Sequence, residues 1–324
     1  MSKKYLSFCL AICAVFITSL PTFVGAATLH SIIVADVTDK GIGADQDVAA
    51  IQKLTDTIRR ATCLGGQDIL VEAGRGKSQE VNKIVSNLSV SPDDVVFFYY
   101  SGHGANPGGG DRWPVMGVEG KTGDNPLKLS AVKDALQSKN PRLLITMADA
   151  CNVFMSGVTQ RGGRKEKSEA IGFKKLFLSF KGVIIASSSV PGQFSFGDPQ
   201  GGGTFTRQLL SVLNQVQASA NPDWESIKVG ATKEIPANNP DQKVQTPQMK
   251  VEVTALTGER GLSSHNNEWG CATGSGISPI SPPPSPPVNP SSSDYPTCVS
   301  GKFKVENSQE CCLDRSGKKM CFNQ

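Results

Sequence analysis

Two uninterrupted apolar runs constrain this chain more than anything else in it. Val95–Tyr100 leads into Ser-Gly-His-Gly at Ser101–Gly104, and Leu143–Ala148 leads into Asp-Ala-Cys at Asp149–Cys151. A run of this length without a polar break is the pattern of a parallel strand covered on both faces. Each run delivers one reactive side chain at its carboxyl end, His103 and Cys151, 48 positions apart. In an open parallel sheet the carboxyl edge is where ligand sites form, so these two side chains are expected to meet there.

The segments around the two runs alternate between strand and helix patterns from residue 30 to about 216. His30–Val37 and Gln67–Ala73 read as strands, as does Gly182–Ser187. Val48, Ile51, Leu54 and Ile58 fall on one helical face, and Val81, Ile84, Val85 and Leu88 on another. Ser78 and Ser130 are the expected caps of the second and third helices, and Thr204 or Thr206 opens a further one carrying Leu209, Leu210, Leu213 and Val216. The alternation predicts a doubly wound α/β sandwich. Met155–Lys175 breaks the rhythm with Arg161, Arg164, Lys165 and Lys167, and its first half reads as an exposed loop.

The ends of the chain read differently. Lys3 and Lys4 precede a long apolar run that closes on Val24-Gly25-Ala26-Ala27, the order of a secretory signal peptide over residues 1–26. An uncleaved membrane anchor is the alternative. The domain that follows is expected over residues 28–262, a Pro/Ser-rich linker over 263–294 and a Cys-rich tail over 295–324. Cleavage would leave 31 basic against 29 acidic residues, a balance that argues for neither nucleic acid nor an anionic membrane as partner. It would also remove Cys9 and Cys13. Setting Cys151 aside, an even six remain, as expected for disulfides in an exported chain. A thirty-residue tail with four cysteines cannot bury a core, so two disulfides are its expected source of order; a zinc site is the alternative, disfavoured by a tail without histidine beyond an export signal. Such a tail suits a surface or protein partner.

The chemistry rests on His103 and Cys151. A thiolate is a strong nucleophile, and an imidazole beside it can take the thiol proton. Gly102 and Gly104 let the backbone turn sharply around His103. The N–H groups of Gly104 and Cys151 are candidates to hold an oxyanion. Gly108–Gly110 and Gly201–Gly203 lack the flanking residues of a phosphate-binding loop, so a nucleotide-binding domain is disfavoured.

Tyr99–Gly104 and Met147–Cys151 resemble the histidine and cysteine motifs of the caspase and metacaspase superfamily. The segments Gly182–Ser189, Gly201–Leu210 and Gln245–Gln248 also fall where bacterial caspase-like domains carry similar ones. The likeness spans about residues 29–255. It implies a three-layer sandwich with a mostly parallel six-stranded sheet, and hydrolysis of peptide bonds in protein or peptide substrates through a thioester on a Cys-His dyad. It also implies specificity. Asp149, two positions before the cysteine, matches metacaspases, which cut after Arg or Lys, whereas caspases carry Gln there. Ser101 and an acid in the first helix region, Asp47 ahead of Asp45, complete the implied S1 pocket. The chain departs from metacaspases after the cysteine, where Asn152-Val153-Phe154 replaces the usual His-Ser-Gly. No cofactor is implied. Calcium is required by some metacaspases, but no liganding loop is recognisable here. A basic loop at Gln160–Lys175 would offer such an enzyme sites for self-cleavage. A catalytically silent caspase-like binding protein is the alternative with the same fold.

Overall fold

The computed structural model describes residues 27–119, 126–153, 172–236 and 244–256, together with the backbone of 304–306, 309–313 and 319–323. The expected signal peptide and linker, residues 160–171 of the expected self-cleavage loop, and the cysteine side chains of the tail lie outside these residues; the end of that loop is helical instead, in the helix Phe173–Leu178. The chain divides into units of residues 1–271 and 272–324. In the second, strands Lys304–Glu306, Gln309–Leu313 and Lys319–Asn323 form an antiparallel sheet.

In the first unit, β1 (Leu29–Ala35), β2 (Asp68–Glu72) and β3 (Val95–Ser101) come first, with helices α1 (Ala44–Thr62) and α2 (Lys77–Asn87) between them. Three two-residue strands follow: β4 (Gly104–Ala105), β5 (Val115–Met116) and β6 (Leu127–Lys128). Then come α3 (Leu129–Gln137), β7 (Leu143–Asp149), α4 (Phe173–Leu178) and β8 (Phe180–Ser187). The short strands β9 (Gly197–Asp198) and β10 (Gly202–Gly203) precede α5 (Thr204–Gln217), α6 (Trp224–Ala231) and β11 (Gln248–Ala255). The main sheet has six strands in the order β11-β8-β7-β3-β1-β2. All its pairs are parallel except β11 with β8.

The apolar runs behave as the sequence predicts. All seven residues of β3 and all seven of β7 are buried. Because side chains alternate along a strand, each run feeds two cores. Val95, Phe97 and Tyr99 join Leu143, Ile145 and Met147 against α1, α4, α5 and α6. Val96, Phe98 and Tyr100 join Leu144 and Ala148 against α2 and α3. The result is a three-layer α/β sandwich. β1 is followed by β2 on one side and flanked by β3 on the other, so the strand order reverses between β1 and β3. A crevice at the carboxyl end of such a reversal is the place for a site.

Two expected caps are corrected. Ser78 lies inside α2, whose cap is Gly76, and the carboxylate of Glu119 accepts the Gly76 and Ser78 N–H groups at 2.5 and 2.8 Å. A full negative charge brought from the β5–β6 region outcompetes a local hydroxyl at a helix N-terminus. Ser130 likewise lies inside α3, with its hydroxyl donated to Asp111 at 2.6 Å.

Candidate active site

Register brings the site together. Ser101 at the end of β3 pairs with Asp149 at the end of β7, and with Ala35 at the end of β1. His103 and Cys151 therefore each leave the sheet two residues beyond a matched pair. The Gly102 N–H donates to Asp149 O at 3.1 Å and holds the two departures side by side. The buried Tyr100 hydroxyl donates to His103 O at 2.7 Å, and Gly117 N–H donates to the same oxygen at 2.8 Å. Burial, then the Asp36 charge, keeps the Tyr100 phenol protonated well past its ordinary range, so it remains a donor.

Gly104 lies against Ala150 and Cys151. A Cβ built on it would stand 2.7 Å from both Ala150 Cβ and Cys151 O, so only glycine allows this approach. Since Gly117 N–H bonds His103 O, Gly104 and Met116 form a narrow antiparallel pair, whose own N–H groups point away from the partner strand. Two residues on, Asn106 N–H leaves by that same edge to reach Val153 O at 2.9 Å, just beyond Cys151.

The Cys151 sulfur is half-buried and engaged by one residue. Ser195 N–H donates to Sγ at 3.4 Å, and the thiol faces Ser195 O at 3.7 Å. Burial first, and the Asp149 charge second, push the thiol above its ordinary pKa, against the Ser195 N–H. The shift favours the protonated sulfur. On the other side, His103 Nε2 lies 2.9 Å from Asp39 Oδ2 and 4.0 Å from Asp36 Oδ2. Sequence reasoning found no third residue for His103. The signal was Asp36-x-Thr38-Asp39-x-Gly41, a chain of Asp turns at the carboxyl end of β1. Asp36 Oδ1 accepts the Thr38 hydroxyl and the N–H groups of Thr38 and Asp39, and Asp39 Oδ1 accepts Gly41 N–H.

The three expected pocket residues also converge. Asp47 Oδ2 accepts the Ser101 hydroxyl at 2.6 Å and Asp47 Oδ1 accepts Gly203 N–H at 2.8 Å. Asp149 Oδ1 accepts the Ser195 hydroxyl at 2.6 Å, while its Oδ2 accepts the N–H and hydroxyl of Thr206 at 3.0 and 2.7 Å. Thr206 is the third residue of α5, so Asp149 sits at the positive end of that helix. With its proton committed to Asp149, the Thr206 hydroxyl accepts that of Tyr99 at 2.5 Å. Asp45, the second choice for the pocket, faces Lys40 at 3.5 Å instead.

Both pocket acids are buried, and Asp47 is held well above the usual carboxylate range. Its causes are burial and then the Asp149 charge, opposed by the Ser101 and Gly203 donors. Burial raises Asp149 too, against donors from Ser195, Thr206 and Ser188. Above the acids lie Gly202 and Gly203. Gly202 has φ +77°, and a Cβ on Gly203 would come 2.0 Å from Asp149 Oδ2 and 3.1 Å from Asp47 Oδ2. Asp198 shapes this glycine loop through the Gln200 and Gly201 N–H groups, and Arg207 ties Asp198 at 2.9 Å to Gly202 O at 2.7 Å. Ser195, Thr206, Gly203 and the buried Gln245, which binds Phe196 N–H, Thr204 and Ser188 O, were not singled out as site residues from sequence.

Asn152, where the motif departs from metacaspases, is fully buried. Its amide donates to Arg112 O and Ser189 O, and its carbonyl accepts from Asn106 at 2.9 Å. It joins three loops around Cys151.

A doubly wound sheet with a cysteine and a histidine leaving adjacent strands, above two buried acids, is the framework of a cysteine-peptidase-like α/β protein. The model of the caspase domain of peptidase family C14 matches residues 36–256, and the chain belongs to that family. Among solved structures it is similar to caspase-1 from Spodoptera frugiperda, at 18% identity, covering 71% of this chain and 90% of that one with a TM-score of 0.44. No curated protein matches it. The α/β class, the six-stranded, mostly parallel sheet and the family resemblance read from sequence are all borne out.

Proposed function

We propose that this chain is a cysteine endopeptidase that cuts after Arg or Lys, with Cys151 as nucleophile and His103 as its general base. The observation that carries the specificity is the buried Asp47–Asp149 pair beneath Gly202–Gly203, next to the nucleophile. Two neighbouring carboxyls share the cost of burial, and burial together with the Asp149 charge raises Asp47 well above the usual carboxylate range. A guanidinium or ammonium entering the pocket would let both ionise and be gripped by charge-assisted hydrogen bonds.

In the reaction, His103 takes the Cys151 thiol proton as the sulfur bonds to the scissile carbonyl carbon. The carbonyl oxygen carries the negative charge facing the Gly104 and Cys151 N–H groups. As the intermediate collapses, the C–N bond breaks and His103 returns the proton to the leaving amine. Water then gives a proton to His103 and attacks the thioester. The C–S bond breaks, the acid product leaves, and the proton returns to sulfur. The elevated thiol pKa makes the base necessary.

Export is part of the same reading. It is supported by the signal-peptide pattern of residues 1–26 and by Cys63 being held in a disulfide. Among the described residues no helix is long and apolar enough to cross a membrane. The linker and Cys-rich tail then serve an extracytoplasmic partner.

The test is turnover of matched fluorogenic peptides with P1 Arg, Lys or Asp by the protein lacking residues 1–26, beside Cys151→Ala. Arg and Lys turnover that vanishes in Cys151→Ala is expected. Asp turnover alone would overturn the pocket assignment, and silence on all three would favour the binding-protein reading.

A further inference from the structure

The β1–α1 loop and the β3 end face each other across the strand-order reversal, and each contributes one polar side chain to a single contact. Asp39 Oδ2 stands 2.9 Å from His103 Nε2, and both side chains are partly exposed. Asp39 is itself held in place. Its other oxygen accepts Gly41 N–H at 3.0 Å, and its own N–H is among the donors gathered by Asp36 Oδ1. Asp36 N–H is tied to Ser101 O at 2.9 Å, which anchors this loop to the strand that delivers His103. The acid and the imidazole are thus fixed to neighbouring strands by separate networks, so the contact is built.

We propose that Asp39 is the positioning residue of a Cys151–His103–Asp39 triad. The inference rests on the peptidase reading but makes a narrower claim. An ionised carboxylate only accepts, so the imidazole must place its proton on Nε2 to satisfy it. The lone pair that receives the thiol proton is then on Nδ1, and the ring is held edge-on to the carboxylate through catalysis. When Nδ1 takes the proton, the cation forms beside a negative group already in place, with no solvent to reorganise. Asp39 touches neither substrate nor sulfur and acts only through His103. The other charged group facing the imidazole is the Asp36 carboxylate at 4.0 Å, and the Tyr100 hydroxyl binds the His103 carbonyl.

The experiment uses the protein lacking residues 1–26, with ¹⁵N-labelled histidine, in three forms: unaltered, Asp39→Asn and Asp39→Glu. Asparagine keeps an acceptor for Gly41 N–H, and thermal melts check that each variant folds. In the unaltered protein neutral His103 is expected as the Nε2–H tautomer, and Asp39→Asn should show a mixture. With the P1 Arg peptide, Asp39→Asn should lower kcat by at least about tenfold, up to the order of 10⁴ that loss of a histidine-orienting carboxylate can cost. KM should stay within about threefold, since substrate binding is untouched. Asp39→Glu should recover part of kcat. A wild-type Nδ1–H tautomer, or an unchanged kcat in Asp39→Asn, would overturn the proposal. So would a rise in kcat, which would make Asp39 a brake on His103. The NMR readout needs no turnover, so it separates failure of the triad from failure of the peptidase reading.

Discussion

Among the described residues, two histidine–aspartate contacts of the same length stand at opposite ends of the sheet. His30 meets Asp94 at 2.9 Å where β1 and β3 begin, and His103 meets Asp39 at 2.9 Å beyond where they end. At the amino end Asp94 also accepts N–H groups from Thr28 and Ser91. Burial works to raise its pKa, but the Ser91, His30 and Thr28 donors outweigh it and hold the acid below its ordinary value. The contact acts as a staple, tying the chain ahead of β1 to the turn before β3. At the carboxyl end the balance is reversed. The acids Asp47 and Asp149 are raised by their burial, and the thiol beside them is raised too. One end of the sheet holds an acid below its ordinary range, whereas the other holds two buried acids and a thiol above theirs. Residue type and distance are equal at both histidines, and the surroundings decide what each pair does.

The largest effect that could break this contrast is at Asp149. Asp149→Asn should lower kcat/KM for P1 Arg peptides by about 10²- to several 10³-fold, corresponding to the roughly 3–5 kcal/mol lost when one partner of a buried pair is removed. Asp94→Asn should leave kcat/KM within about threefold. Equal losses in the two variants would erase the distinction between the ends. Next is Gly203→Ala, where φ is −64° and alanine suffers no backbone strain, so only the added methyl acts. It should cost roughly 1–3 kcal/mol in kcat/KM, about 10- to 100-fold, with less effect on a smaller P1 Lys than on Arg.

The smallest effects are on stability and carry opposite signs. Asp94 has a depressed folded pKa, so its contribution is present above the unfolded carboxyl value and lost as pH falls through the folded one. Asp94→Asn should therefore cost about 1–3 kcal/mol at neutral pH and flatten the acid limb of the unfolding curve. Asp47 has a raised folded pKa, so the free protein loses stability as pH rises from the unfolded value through the folded one. Asp47→Asn should raise Tm at neutral pH by about 2–4 °C per kcal/mol regained, while damaging Arg and Lys turnover. A fall in Tm would show that the carboxylate's hydrogen bonds outweigh the cost of its burial.

Much of this architecture was legible because buried parallel strands announce themselves. Val95–Tyr100 and Leu143–Ala148 admit hardly any other reading, and the residues just beyond them named His103, Cys151, Ser101 and Asp149. Asp47 could be preferred over Asp45 only through a family likeness, yet it is the one facing inward. What stayed hidden was partnership at long sequence separation. Ser195 and Thr206 reach Asp149 from 46 and 57 positions away, and no local pattern encodes those contacts. The Glu119 cap of α2 was missed for the same reason, 41 positions beyond Ser78. The helix α6 was not read from sequence either, although it carries a local signal in Asp223, which caps it by accepting Ser226 N–H. The turns that place Asp39 were also written locally, at the end of a recognised strand.

The glycines over the pocket acids have a consequence for how this chain can change. The proposed specificity would be written by what Gly202 and Gly203 leave out, and every substitution adds atoms. A Cβ at either position collides with a carboxylate oxygen, at 2.2 and 2.0 Å. Drift at these two sites therefore runs one way. It can narrow or close the pocket but cannot widen it, so a lineage that leaves this state must rebuild the loop rather than exchange a side chain.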